Sequence, residues 1–352
     1  MNIFGSYQYV NESKVMNYSY NVDTNMLHYT NRQNIQYKSK LVLNKIDFPD
    51  NYVNIINQVQ LTNTLIMNLQ TCPIIQSNIF ITNSAIDIEI ENPNNHNAYF
   101  VLPSQLNGAE YPDYTNDRII KHLNKYIDDP TGGPRGQLAV HPAVGQFILD
   151  TAANNKKSRG INCVKYILDK IKTYDLTEIN LINGYLYVPE KNRQFCLFLK
   201  YLNDLMIVGM EDVIVDGYYY NRSNITPNKG SNTKKHTVNM IYASAIPINN
   251  YTNKYVNVNL INIANYVMIG QYYGALQTAY KKYYNKKIKI FMMPLGGGEF
   301  KNNLTNILCN IIIAIKLLEI KYIDVYVKLD IHILTWSGNL NEYTTFKNLL
   351  KL

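Results

Sequence analysis

Residues 286–318 read KKIKIFMMPLGGGEFKNNLTNILCNIIIAIKLL and bring a strand, a glycine turn and a helix into one unit. Ile288, Ile290, Met292 and Met293 form a short apolar run closed by Pro294, the pattern of a buried strand. Gly296, Gly297 and Gly298 follow at once and clear the turn of side chains, so that a ligand can approach the backbone. Asn302 and Asn303 stand where a helix cap belongs, and Leu304, Ile307, Leu308, Ile311, Ile312 and Ile315 mark one buried helical face. First-turn amides and the helix dipole then point at whatever lies over the glycines, and an anion is the natural guest. The competing reading of the triplet is a tight connection that holds no ligand.

Working outward, a strand at 237–247, a helix at 260–284 and a last strand at 323–333 flank this unit. Strand, helix, strand, helix, strand is the pattern of a parallel sheet with helices on its faces, whose loops converge at the carboxyl ends. A short strand at 98–102 empties into a polar loop holding Ser104, Gln105, Asn107 and Glu110. Residues 128–137, DDPTGGPRGQ, predict a second glycine-rich turn, ahead of a helix whose apolar side carries Val144, Phe147, Ile148 and Ala152. There Arg135 suits phosphate or carboxylate recognition, the alternative being an ion pair with Asp128 or Asp129. Residues 162–208 predict two amphipathic helices around one strand at 179–188, residues 213–215 a short strand, and residues 221–235 a surface loop.

Residues 1–95 differ in kind, being Asn- and Tyr-rich with no glycine after Gly5. Alternating segments at 40–46, 79–82 and 86–90 predict strands, and the break at 91–96 predicts the boundary between a β-rich N-terminal extension, 1–95, and an α/β domain, 96–352. The chain has 352 residues, 46% of them hydrophobic, with 31 Tyr against one Trp, a usage that reflects an AT-rich coding sequence such as a large DNA virus or a protist carries. A net charge of +8 favours anionic partners, yet Lys156-Lys157, Lys234-Lys235, Lys281-Lys282 and Lys286-Lys287 are scattered pairs, which argues against specific nucleic-acid binding. Cys72, Cys163, Cys196 and Cys309 are too far apart for a zinc site or a disulfide framework, and Cys163 and Cys309 read as core residues. No leader and no long uninterrupted apolar stretch is evident, so a cytoplasmic protein with no membrane contact, no cofactor and no metal is expected.

The region from about residue 98 to residue 333 resembles a family of largely uncharacterised macrodomain-like proteins. Ser104-Gln105-Leu106-Asn107 with Glu110 is similar to that family's Ser-Gln-aromatic-Asn segment and nearby Glu. Residues 129–134 resemble its Asp-Arg-Thr-Gln-Gly-Pro box, with departures at Pro130 and Gly132. Asn183-Gly184-Tyr185, Ala243-Ser244-Ala245-Ile246-Pro247 and Leu295-Gly296-Gly297-Gly298-Glu299-Phe300-Lys301-Asn302 complete the series. The resemblance implies a three-layer α/β/α sandwich whose crevice binds ADP-ribose or a related nucleotide. It sets the diphosphate against the amides of residues 296–300, with Asn107 facing a ribose and Phe300 stacking on a ring. Ser104, Gln105 and Asn302 complete the implied nucleotide-binding set. Hydrolysis would need a base beside the anomeric carbon or phosphate, for which Glu110 is the candidate and His141 the runner-up, with Arg135 balancing charge on phosphate. The alternative is a structural or assembly protein, viral in one version, that keeps the macrodomain-like core as scaffold. It would meet a second copy or an assembly partner through residues 1–95.

Overall fold

The computed structural model describes residues 2–8, 15–30, 35–60, 77–110, 123–126, 129, 131–153, 161–174, 179–188, 194–216, 218–221, 224–227, 235–249, 258–282, 286–322, 329–335 and 343–344. Strands β1 (Asn2–Gln8), β2 (Val15–Asn21), β3 (Met26–Thr30) and β4 (Gln36–Lys45) open the chain. Helix α1 (Tyr52–Gln60), strand β5 (Asn78–Thr82) and helix α2 (Ile86–Glu91) follow. After β6 (Tyr99–Ser104) come helices α3 (Gly132–Ala139), α4 (Pro142–Ala153) and α5 (Lys165–Lys172). The short strands β7 (Asn180–Ile182) and β8 (Tyr185–Tyr187) and helix α6 (Gln194–Lys200) complete the middle of the chain. The remainder is β9 (Met206–Ile214), β10 (Tyr218–Asn221), β11 (Asn224–Pro227), β12 (Thr237–Ser244), α7 (Val258–Lys282), β13 (Ile288–Met292), α8 (Leu304–Lys321) and β14 (Leu329–Leu334).

One mixed sheet of ten strands runs in the order β1-β2-β3-β4-β9-β12-β6-β13-β14-β5. Its β12, β6, β13, β14 and β5 are mutually parallel, while β9, β4, β3, β2 and β1 pair antiparallel. Side-chain alternation fixes which helix covers which face. Leu102, Tyr242 and Val208 lie in register on one face, so Ile207 points to the other. Gly136 of α3 abuts the Leu102 side chain, whereas Gly274 of α7 abuts Ile207. Helices α3 and α7 therefore sandwich the sheet, α8 packs along α7, and the fold is a three-layer α/β/α sandwich.

The N-terminal strands are built into this same sheet. Strand β4 pairs with β9 from Lys40↔Glu211 to Lys45↔Met206, and β5 closes the opposite edge beside β14. Tyr18, Tyr20, Leu27 and Leu41 share a continuous core with Ile290 and Ile331. Tyr18 and Tyr20 pack their rings on Phe147 of α4. No helix among the described residues is long and apolar enough to cross a membrane.

Five local expectations are corrected. Residues 86–90 alternate like a strand but form α2, because Ile86 and Ile90, one helical turn apart, are buried while Ile88 is 59% exposed. Residues 132–137 belong to α3 instead of a turn. A Cβ at Gly132 would overlap the Met293 sulfur, one at Gly133 the Glu110 carboxyl and the Pro103 carbonyl oxygen, and one at Gly136 would lie 2.5 Å from a Leu102 methyl. These glycines let a helix press on β6 closer than any side chain allows. Residues 180–187 form a hairpin, not one strand, turned at Asn183 (φ 51°) and Gly184 (φ 83°), the pair of positive φ values that a two-residue hairpin loop demands. The expected loop at 221–235 holds part of the hairpin β10–β11. The short strand at 213–215 is the end of β9, a nine-residue central strand.

Candidate functional site

Because β12, β6, β13, β14 and β5 are parallel, their carboxyl ends share one edge of the sheet. The loops after β12, β6 and β13 come together there, with β6 between the other two. The loop after β13 carries the glycine triplet. Gly296 holds φ +71°, and its missing side chain makes room for Asn302, whose Nδ2 donates to the carbonyl oxygens of Ile246 (3.1 Å) and Gly296 (3.3 Å). Behind the turn, the Tyr272 hydroxyl of α7 donates to the Met293 carbonyl (2.6 Å) and accepts from the Leu295 amide (2.8 Å). The Asn249 side-chain amide donates to the Glu299 carbonyl oxygen (2.6 Å), and the Ile248 amide to that of Phe300 (3.0 Å). So braced, the turn presents Gly297, Gly298 and Glu299 to solvent. A Cβ added at Gly298 would meet nothing within 4 Å. The amides of Gly298 and Glu299 have no hydrogen-bond partner among the described residues. Helix α8 begins five residues on, with the Asn303 side chain accepting from the Asn306 amide as its cap.

The loop after β6 is a packed wall. The Ser104 hydroxyl donates to the Gln105 carbonyl (3.0 Å), and Gln105 Nε2 donates to the Tyr185 hydroxyl (3.1 Å). Asn107 Oδ1 accepts from the Ala109 amide (3.2 Å). All three side chains are buried, and the Gly184 turn of the β7–β8 hairpin lies so close that a Cβ there would stand 2.6 Å from Gln105 and 2.7 Å from Asn107. Tyr185 meets the Phe300 ring edge-on at 6.0 Å, which ties the hairpin to the glycine loop.

Glu110 ends this wall at the amino end of α3. Thr131 stands at the helix cap position but gives its hydroxyl to Glu110 Oε1 (3.2 Å). Glu110 Oε2 is buried against Gly133 with no partner among the described residues. Tyr126 clamps the backbone here, accepting from the Glu110 amide (3.0 Å) and donating to its carbonyl. Burial, reinforced by the charge of Asp129 and opposed by the Thr131 hydroxyl, pushes the Glu110 carboxyl up to about 8. At neutral pH it is a protonated acid able to donate.

Arg135, three positions into α3, gives Nη2 to Asp87 Oδ2 of α2 at 2.7 Å; of the two aspartates expected to pair with it, Asp128 lies outside the described residues. Arg135 Nε and Asp87 Oδ1 are both buried without partners among the described residues. His141 lies elsewhere. Its amide donates to the Ile214 carbonyl (3.1 Å), and Ile214 pairs with Thr237 at the start of β12, while Ser104 pairs with Ser244 at its end. Seven strand positions, about 23 Å, separate the two edges. His141 is buried, accepts the Ala143 amide through Nδ1 (3.1 Å) and packs on the Tyr29 ring at 4.6 Å. The structure thus brings together Ser104, Gln105, Asn107, Glu110, Gly296, Gly297, Gly298, Phe300 and Asn302 at one edge, holds Arg135 on α2, and sets His141 apart.

Tyr126, Tyr272, Asp87 and Gln137 went unseen in the sequence. Gln137, one turn beyond Gly133 on the same face of α3, is fully buried with neither end of its amide bonded. Only the i,i+4 spacing from Gly133 connects it with the site. Cys163 and Cys309 are free and buried, which pushes both thiols up to about 12 and keeps them unreactive. Cys72 lies outside the described residues.

No protein-family profile and no curated protein matches this chain. Among solved structures, it is similar to a macrodomain of Oceanobacillus iheyensis, crystallised as a point mutant: 12% identity, TM-score 0.37, covering 79% of this chain and 94% of the other. It is similar to the poly(ADP-ribose) glycohydrolase of Deinococcus radiodurans in complex with ADP-ribose: 8% identity, TM-score 0.40, 89% and 94% covered. A third is the poly(ADP-ribose) glycohydrolase of Thermomonospora curvata bound to the inhibitor ADP-HPD: 8% identity, TM-score 0.41, 91% and 92% covered. Identity and overlap at this level say nothing about individual residues.

Proposed function

We propose that this chain binds ADP-ribose or a related nucleoside diphosphate at the carboxyl edge of β6, β12 and β13. The diphosphate lies over Gly297, Gly298 and Glu299. One observation carries the reading: the backbone amides of the exposed Gly298 and Glu299 have no partner among the described residues, on a braced glycine turn in front of a helix. Ser104, Gln105 and Asn107 hold the opposite wall in shape, and Phe300 is the ring beside the turn. The macrodomain-like motifs read from the sequence supply the ADP-ribose identity, which the glycine turn alone does not specify.

Hydrolysis is a second reading, favoured by the raised, half-partnered carboxyl of Glu110. As the glycosidic bond breaks, Glu110 donates its proton to the departing oxygen, and as water adds to the anomeric carbon the proton that it loses returns to the Glu110 carboxylate. Its activity would fall as pH rises past about 8, when the acid is ionised. His141, at the far edge, has no part in this proposal.

Calorimetric titration with ADP-ribose is the test. Saturating ligand should raise the melting temperature, a hundredfold excess over Kd being worth about 2.7 kcal/mol. Gly298→Phe, at a position where an added side chain meets open space, should abolish the heat of binding and leave the unliganded melting temperature unchanged. No heat and no thermal shift with the unmodified chain would overturn the proposal.

A further inference from the structure

Lysines that are dispersed along the chain meet on one surface beside the candidate site. Helix α5 buries Ile167, Leu168 and Ile171 and so turns Lys165, Tyr166, Asp169, Lys170 and Lys172 outward. Strand β4 ends beside it, because Lys45 pairs with Met206, whose amide donates to the Cys163 carbonyl just before α5. Lys45 consequently stands 4.1 Å from the centre of the Tyr166 ring, and Lys165 stands 5.4 Å from the same ring. Asp204 then joins two basic groups, taking Lys45 at 2.8 Å and also Lys170. Beyond it, Tyr201 at the end of α6 has Lys170 at 5.0 Å and Lys200 at 5.5 Å from its ring centre, and its hydroxyl meets that of Tyr174 at 2.8 Å. Next to Lys45 the surface dips into a cleft of about 290 Å³ that Lys281 lines from α7.

Lys45, Lys165, Lys170, Lys172, Lys200 and Lys281 thus share this surface with Asp47, Asp169 and Asp204, and ammonium groups stand over the Tyr166 and Tyr201 rings. Tyr166 and Tyr174 are 40% and 48% exposed, so a base can reach Tyr174 directly and Tyr166 where its lysines give way. Ammonium groups follow a phosphate backbone without regard to sequence, whereas exposed rings engage bases only when those bases are unpaired. We propose that this Lys–Tyr surface binds single-stranded nucleic acid, with phosphates along Lys45, Lys165, Lys170 and Lys200 and bases stacked on Tyr166 and Tyr174. Apart from Lys281, the lysines of this surface stand outside the scattered pairs from which the sequence argues against nucleic acid.

Fluorescence anisotropy with labelled oligothymidylate and a duplex of equal length, on the whole chain at low and at near-physiological salt, tests this. The single strand should bind more tightly than the duplex and weaken steeply with salt. Lys200→Glu should flatten the salt dependence, by about 0.7 in log–log slope for each phosphate that the variant no longer neutralises. Tyr174→Ala should weaken binding about tenfold at an unchanged slope. Both positions are exposed, and unchanged melting temperatures would verify that the variants are folded. Four results would overturn the proposal: no binding at low salt, equal affinity for duplex or anionic vesicles, affinity indifferent to both substitutions, or displacement by ADP-ribose, which would put the strand in the crevice.

Discussion

Among the described carboxyls, Glu110 departs furthest from its ordinary value. Its carboxyl ionises near 4.5 in an unfolded chain and near 8 in the folded one, so between those values the native state holds the extra proton. Stability must then fall as pH rises from 4.5 to 8, by up to about 1.4 kcal/mol per pH unit, with the loss complete above pH 8. Glu110→Gln removes the titration. Urea melts of both proteins across this range should show the wild type losing ground to the variant as pH rises; parallel curves would mean that the buried oxygen is not carrying the shift. That Glu110 closes the polar loop after β6 was legible in the sequence. The cause of its raised pKa was not, since its burial, and with it the nearness of Asp129 and Thr131, comes only once α3 docks on β6. Arg135 teaches the same lesson: aspartates close to it in sequence are its expected partners, yet Asp87, 48 residues away, takes the guanidinium.

At the scale of elements, glycines do two different jobs that composition cannot tell apart. Gly133 and Gly136 are spacers that let α3 touch β6, whereas Gly298 is a bare turn facing solvent. Gly133→Ala and Gly136→Ala should each cost about 1–3 kcal/mol through overpacking. Gly298→Ala should change stability by less than about 0.5 kcal/mol. Thermal melts of the three variants decide it, and an equal cost at all three would refute the distinction. Helix α2 illustrates a different limit. Its Ile-Asp-Ile-Glu-Ile-Glu satisfies a period of two, yet the same spacing puts Ile86 and Ile90 on one helical face. What settles the choice is the packing of α2 against α3 and the Asp87–Arg135 pair, neither of which is local. Phe80, His332, Phe291 and Phe100 stand in register across four strands, with neighbouring rings 4.6–4.9 Å apart. These four residues come from three distant stretches of chain.

For the whole molecule, the consequence of one sheet is one unfolding unit. Leu27 of β3 and Ile290 of β13 are fully buried in the same core, although they lie on opposite sides of the boundary expected near residue 95. Leu27→Ala and Ile290→Ala should each cost about 2–5 kcal/mol and shift the same single calorimetric transition. Two transitions, with only one responding to each substitution, would show that residues 1–95 fold as a separate domain. The sequence by itself determined the elements that rest on local periodicity and on backbone chemistry: the strand–glycine–helix unit at 286–318, the long helix before it, and the strand that ends at Ser104. Near-neighbour spacing suffices for these, since a helical face or a glycine turn is written within one or two dozen residues. Tertiary structure alone decided the joining of β4 to β9, the separation of His141 from Glu110 by the length of a strand, and the gathering of Lys45, Lys170 and Lys200 around Tyr166 and Tyr201. Each of those depends on contacts between residues far apart in the chain, and no local period encodes which distant partner a side chain meets.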